Sequence, residues 1–173
     1  MAKLYFRYST MGAGKSLDLL KTAYNYEERG KFITLLTSSL DNRYGTGKIT
    51  SRVGISKDAH IFDSSTNLFE HVSEYCFGCD CVLIDEAQFL SKEQVWQLTD
   101  IVDKLECNVI TYGLRSDFKG EPFEGSIYLM TLADKIEELK TICKYGDKVM
   151  IGGNDSYLPV CRTYYKKMKE KHG

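Results

Sequence analysis

An α/β architecture, a mostly parallel sheet with helices on both faces, is written into this 173-residue sequence in three ways. Strand-like and helix-like runs alternate along it, as crossover units around a parallel sheet require. A Gly14-Lys15-Ser16 turn joins the first strand-like run to the first helix-like run. Further on, the continuous apolar run Cys81-Val82-Leu83-Ile84 reads as a strand buried on both faces, and it ends in Asp85 and Glu86.

In order, the strand-like runs are Lys3–Tyr8, Phe32–Ser38, Ala59–Phe62, Asp80–Asp85 and Asn108–Gly113. The helix-like runs are Ser16–Arg29, Thr66–Tyr75 and Lys92–Lys104. Gly30 stops the first helix as a C-cap glycine does. Ser91, with Gln94 three residues on, forms a capping box that opens the third. Asp41–Lys57 is polar and glycine-containing and reads as a long mobile loop, a kind often put to functional use. Lys166 to Gly173 is a charged tail. No internal repeat or low-complexity segment interrupts the pattern.

The chemistry sits at two strand ends. Ser9-Thr10-Met11-Gly12-Ala13-Gly14-Lys15-Ser16 follows the first strand and opens the first helix. In such a turn successive backbone N–H groups converge on phosphate oxygens, and the positive end of the helix dipole faces them. Lys15 is placed to reach the β- and γ-phosphates of a nucleotide, and the Ser16 hydroxyl to meet Mg²⁺. Ser9 stands where the pattern has its first glycine, so the turn alone also fits a helix N-terminus that happens to contain Gly-Lys-Ser. The second strand end removes that ambiguity. Carboxylates at the C-terminal end of a buried parallel strand lie on the ligand-binding edge of the sheet. Asp85 is then the Mg²⁺-associated residue and Glu86 is free to take a proton from a nucleophile.

Composition narrows the function classes. Net charge is −1, so no global basic field draws the chain to nucleic acid or to an anionic membrane. A hydrophobic content of 43% is that of a packed core, and no apolar stretch is long enough to span a bilayer. Met1-Ala2-Lys3 runs straight into a strand, so no secretory leader is expected and the chain is expected to be cytoplasmic. The six cysteines are then expected to be thiols. Cys76-Phe77-Gly78-Cys79 lacks the second closely spaced pair of a zinc site and is read as core packing or a loop thiol.

The stretch Tyr112-Gly113-Leu114-Arg115-x-Asp117-Phe118 and the glycines and aromatics after it read either as an anchored surface loop or as an aromatic wall for a base. Together with Tyr8-Ser9-x-Met11-x-Ala13-Gly14-Lys15-Ser16, Tyr24-Asn25-Tyr26-x-Glu28-Arg29-Gly30, Ser51-Arg52-x-Gly54, Asp85-Glu86-Ala87-Gln88-Phe89-Leu90, Ile151-Gly152-Gly153 and Tyr157, it resembles the thymidine kinases shared by bacteria, their phages and animal cytosol. The resemblance lies with the bacterial and phage branch and runs from Lys3 to Tyr165. It implies a RecA-like P-loop fold that transfers the γ-phosphate of ATP to the 5′-hydroxyl of thymidine with Mg²⁺. It implies Glu86 as general base and Ser16 and Asp85 as Mg²⁺ organisers. Ser9, Met11, Gly12, Ala13, Gly14, Lys15, Ser16 and Arg52 become the ATP and phosphate contacts. Phe118, Tyr157, Gly152 and Gly153 serve the nucleoside, with Phe123 either a second wall or the anchor of its own loop. A homotetramer is also implied, with no nucleic-acid or membrane partner.

The C-terminal part departs from that family. The family's structural zinc has four ligands after the core. Cys143 and Cys161 occupy two of the positions, but Tyr145 and Tyr164 occupy the other two. A phenol is a poor ligand beside thiolate or imidazole, so zinc is expected to be absent or weakly held there. Where the family has the lasso that closes over the base, this sequence has only Asp147-Lys148-Val149-Met150-Ile151 between Gly146 and Gly152, which reads either as a natural or designed shortening or as a segment skipped in the recorded sequence. The expected organisation is a nucleoside-kinase core over 1–138 and a small remnant of the lasso and zinc subdomain over 139–173. Two other readings stand beside this one. Asp85-Glu86-Ala87-Gln88 also resembles the corresponding box of nucleic-acid-stimulated ATPases, and a relative without lasso and zinc could bind nucleotide yet turn over little.

Overall fold

The computed structural model of the protein describes residues 1–10, 14–40, 47–140, 150–151 and 160–172. In chain order the elements are β1 (Leu4–Ser9), α1 (Lys15–Glu28), β2 (Ile33–Ser38), β3 (Lys48–Thr50), β4 (Ser56–Asp58), β5 (His60–Phe62), α2 (Leu68–Tyr75), β6 (Cys81–Ile84), a 3₁₀ turn (Ala87–Phe89), α3 (Lys92–Leu105), β7 (Asn108–Leu114), α4 (Glu124–Leu132), β8 (Lys135–Glu138), β9 (Met150–Ile151), β10 (Val160–Cys161) and α5 (Arg162–His172). Six strands form one sheet in the order β5-β2-β6-β7-β1-β8, with every neighbouring pair parallel.

The central strands read as unbroken apolar runs because both of their faces are covered. Alternate residues serve opposite cores, as the two-residue period of a strand dictates. Leu36, Val82, Ile84 and Val109 pack with α2, α3 and α4 through Leu68, Val72, Val95, Leu98, Ile101 and Leu129. Leu35, Cys81, Leu83, Ile110 and Tyr112 pack on the other face against Leu19, Leu20 and Ala23 of α1. The predicted helix ends are found. Gly30 follows α1 with φ 71 and donates to the Glu27 carbonyl. Ser91 and Gln94 form the reciprocal capping box on α3.

Four segments differ from the sequence expectation. Part of the supposed loop 41–57 is a hairpin, with β3 antiparallel to β4 and Ile49 buried against the α1 face; residues 41–46 lie outside the described set. The glycine-rich stretch after Phe123 continues into helix α4. Lys135–Glu138 is a sixth strand beside β1, its side chains all exposed. A charged edge strand of this kind discourages pairing with another sheet. The charged C-terminal tail is helical, as α5.

Candidate active site

The strand order places β7 between β6 and β1, so Ile84, Leu114 and Ser9 end at one edge of the sheet. The turn after β1 and the acid pair after β6 therefore meet across the end of β7. Lys15 Nζ lies 2.8 Å from Asp85 Oδ1 and 3.2 Å from Glu86 Oε1. The Ser16 hydroxyl donates to Asp85 Oδ2 at 2.9 Å. Some seventy residues of chain separate the partners, and Lys15, Asp85 and Glu86 are all buried. Burial alone would lower the Lys15 pKa. The charges of Asp85 and then Glu86 outweigh it and hold the ammonium well above the ordinary lysine value. The site thus keeps a fixed positive charge between two carboxyl groups, shielded from water.

Each member is held by local structure. Gly14 precedes α1 at φ 75, a left-handed conformation that a side chain would strain, and its carbonyl accepts from Asp18 N at 2.9 Å. The first turns of α1 are tied to the sheet by a partly buried polar network. Arg7 Nη1 donates to Asp18 Oδ2 at 3.0 Å and to Tyr112 Oη at 2.6 Å, and the Tyr112 hydroxyl donates to Asp18 Oδ2 at 2.9 Å. Burial raises the Tyr112 pKa, so the phenol remains a proton donor.

Glu86 itself is left-handed, at φ 54 and ψ 39, and opens the 3₁₀ turn. A non-glycine residue there carries backbone strain of the kind found at functional sites. The turn brings Gln88 back over it. Gln88 Nε2 donates to Glu86 Oε2, and Gln88 Oε1 accepts from Leu114 N at 3.2 Å. Backbone then presses on the turn from two sides. A Cβ on Gly125 would lie 2.6 Å from the Ala87 carbonyl oxygen and 2.7 Å from that of Leu90, and one on Gly113 would lie 3.0 Å from Gln88 N. Only glycine lets α4 and β7 approach this closely. The Ser126 hydroxyl donates to the Leu114 carbonyl and closes the same corner.

Ser9 is buried at the end of β1, its hydroxyl donating to the Thr10 carbonyl at 2.9 Å. Phe118 is about half exposed on the loop leaving β7 at the site edge, and Asp117 braces that loop by accepting from Lys119 N and Glu121 N. Phe123 caps α4 and meets Phe89 edge-to-face, with ring centroids 5.9 Å apart. That contact fixes its own loop to the 3₁₀ turn. Arg52 lies on the separate β3–β4 sheet, in a turn closed by Ser51 N donating to the Ile55 carbonyl at 2.8 Å. Met11, Gly12, Ala13, Cys143, Tyr145, Gly152, Gly153 and Tyr157 lie outside the described residues. Gln88, which bonds Glu86 and Leu114, stands in a quoted sequence motif to which no role for it was given. Its position two residues after Glu86 was the available signal.

A family model described as thymidine kinase matches residues 2–165. The chain belongs to the thymidine kinase family. Among its relatives, the thymidine kinase of Haemophilus influenzae is 53% identical over 96% of this chain and 97% of that protein. The enzyme of Vibrio parahaemolyticus is 50% identical over 96% and 98%, and that of Mannheimia succiniciproducens 48% identical over 99% and 98%. The first of these matches runs over 188 positions, whereas 96% of 173 residues is about 166, so about 22 positions have no counterpart in this family member. The six-stranded parallel sheet agrees with the α/β expectation. Among the described residues, no helix is long and apolar enough to cross a membrane.

Proposed function

We propose that this chain is an ATP-dependent thymidine kinase that moves the γ-phosphate of ATP to the 5′-hydroxyl of thymidine. The observation that carries it is the meeting of Lys15, Ser16, Asp85 and Glu86 at one sheet edge, in a chain about half identical to thymidine kinases over its whole length. Phosphoryl transfer asks for positioning and charge stabilisation rather than a covalent protein intermediate. Lys15 supplies fixed positive charge toward the phosphates, with the turn over 9–16 cradling them. When polyphosphate competes for the Lys15 ammonium, Glu86 is left to accept the hydroxyl proton while Gln88 keeps its other oxygen in place. Arg52 adds positive charge from the β3–β4 turn.

The residues fit Mg²⁺. The Ser16 hydroxyl and Asp85 carboxylate are hard oxygen donors already side by side. When bound there, Mg²⁺ would supply positive charge against the polyphosphate, with Ser16 and Asp85 holding it. Phe118, Tyr157, Gly152 and Gly153 serve the nucleoside, while Phe123 anchors its own loop against Phe89. Residues 1–138 form the catalytic core, and 139–173 the shortened lasso with a zinc position depleted at Tyr145 and Tyr164. The deficit of about 22 positions against a relative is what a short lasso would produce. The enzyme works in the cytoplasm as a homotetramer; the buried thiols Cys76, Cys79, Cys81 and Cys107 suit a reducing compartment.

The test is ADP formation by purified protein with Mg²⁺-ATP. Thymidine-dependent turnover is expected. Turnover stimulated by oligonucleotide and indifferent to thymidine would replace this reading with a nucleic-acid-stimulated ATPase.

A further inference from the structure

Away from the kinase site, at the β5 edge of the sheet, three ligand atoms converge. One each comes from His60 on β5, His71 on α2 and Cys76, which caps α2, and all lie within 4.8 Å of one another. We propose that His60, His71 and Cys76 form a second metal site, for a divalent ion of the zinc class, with a fourth position left for a water or an external ligand.

The donor set selects the ion. Two imidazoles and a thiolate suit zinc or cobalt and are wrong for Mg²⁺ or Ca²⁺, which take oxygen. The distances also fit. Around a tetrahedral zinc, nitrogen ligands stand about 3.3 Å apart, and nitrogen and sulfur about 3.6 Å apart. His71 Nε2 and His60 Nδ1 are 3.1 Å apart, so the histidine pair is already at that spacing. Their rings meet edge-on at 82°, which brings a nitrogen of each to one point. Only one proton fits between the two nitrogens, so at least one lone pair faces inward. Closing the sulfur onto the pair takes at most about 1.2 Å, within reach of a side-chain rotation.

The surroundings favour an accessible site with a fixed base. Cys76 is 2% exposed, anchored by its N–H donating to the Val72 carbonyl at 3.0 Å, while His60 is exposed and gives the ion an entry path. A cavity of about 260 Å³ opens beside His60 and Cys76, with Asp58 and Glu27 on its wall; Lys57, also on it, is bonded to Glu27 at 2.8 Å. The Cys76-Phe77-Gly78-Cys79 pair is not the binding unit. Cys79 turns to Cys107, with the sulfurs 3.2 Å apart, and the partners of Cys76 come from histidines distant in sequence. The site also differs from the family's zinc position, which falls on Cys143 and Cys161.

Co²⁺ titration of chelator-treated protein tests this, because a cobalt–thiolate bond has its own charge-transfer absorption whereas cobalt on the Ser16 and Asp85 oxygens has none. The expected result is one thiolate-bound cobalt per chain, displaced by Zn²⁺ and kept in the Cys143→Ser/Cys161→Ser variant. Cys76→Ser should abolish the band. His71→Ala should weaken cobalt binding at least about tenfold and leave Mg²⁺-dependent thymidine phosphorylation intact, which also reports that the variant is folded. No thiolate band in the wild-type chain, a band that survives Cys76→Ser, or an affinity unmoved by His71→Ala would each overturn the proposal.

Discussion

Glu86 is held at three points: by its own left-handed backbone, by Gln88 on one carboxylate oxygen and by Lys15 on the other. Glu86→Gln keeps the shape and removes the proton acceptor. Turnover should fall by about 10²–10⁴-fold, the usual share of a general base, while ATP affinity measured by calorimetry stays close to wild type. Near wild-type turnover would remove Glu86 from the mechanism. Lys15→Ala should instead weaken ATP binding and turnover together. Gln88→Ala is a separate case, since it releases Glu86 and also leaves the Leu114 N–H without its side-chain acceptor. An unsatisfied buried group costs about 1–3 kcal/mol, so this variant should lose both melting temperature and kcat, with ATP affinity little changed. Unaltered kcat would reduce Gln88 to a packing role. Lys15, Ser16, Asp85 and Glu86 were legible in the sequence because strand ends of a parallel sheet are where charged groups can be spared from packing. The role of Gln88 was not, because it depends on the kink at Glu86 that folds the turn back on itself.

The 3₁₀ turn over 87–89 is the element that carries the site, and it is shaped by the backbone of its neighbours. Gly125→Ala would push a methyl carbon to 2.6 and 2.7 Å from two of its carbonyl oxygens. Neither oxygen can rotate away as a side chain would. Overpacking of this kind costs about 1–3 kcal/mol, and the displaced turn carries Glu86 with it. Thermal unfolding and steady-state kinetics should therefore both respond, with kcat falling more than ATP affinity. A variant with unchanged melting temperature would show that α4 has room to move. Helix α4 was not foreseen in the sequence, where its first residues were read as part of a loop or base wall, because its local signals are weak. Gly125, Ser126, Ile127 and Thr131 are indifferent helix formers and Phe123 offers no side-chain cap, so tertiary packing settles the conformation. β8 escaped for the opposite reason. Lys135-Ile136-Glu137-Glu138 has no apolar face, and it is a strand because β1 offers it a free edge. The capping box of α3 and the Gly30 stop were legible because those signals are local.

For the whole molecule, the roof of the nucleoside site is the open question posed by the short 147–151 segment. A site that grips its substrate by hydrogen bonds rejects the wrong partner strongly, whereas aromatic stacking is tolerant. If, as proposed, the base rests on Phe118, Tyr157 and the 149–153 stretch, thymidine should bind weakly, with a raised KM. Discrimination against deoxycytidine should be poorer than in a full-length relative, and ATP affinity less affected. Parallel titrations of both nucleosides, in this chain and in one with a family-length lasso grafted between Gly146 and Ile151, decide the matter. A graft that changes neither affinity nor discrimination would show that the lasso is not what selects the base here.

The order of the sheet has a consequence for how the molecule is made. Of the strands described, β1 is made before its neighbours β7 and β8, which end at Leu114 and Glu138. At about 5–20 residues per second, roughly 5–20 s pass before the first of these partners is synthesised. During that interval Leu4-Tyr5-Phe6 is an unpaired apolar strand, and Lys15 has been made without Asp85 and Glu86 for most of it. Until Asp85 and Glu86 have been made, nucleotide cannot rescue the nascent chain, because the site that would hold it joins Lys15 and Ser16 to those two carboxyl groups. Protection against aggregation in this window falls to chaperones or to speed of synthesis, and slowing translation between Leu20 and Leu105 would lengthen the exposure without changing a single residue of the finished enzyme.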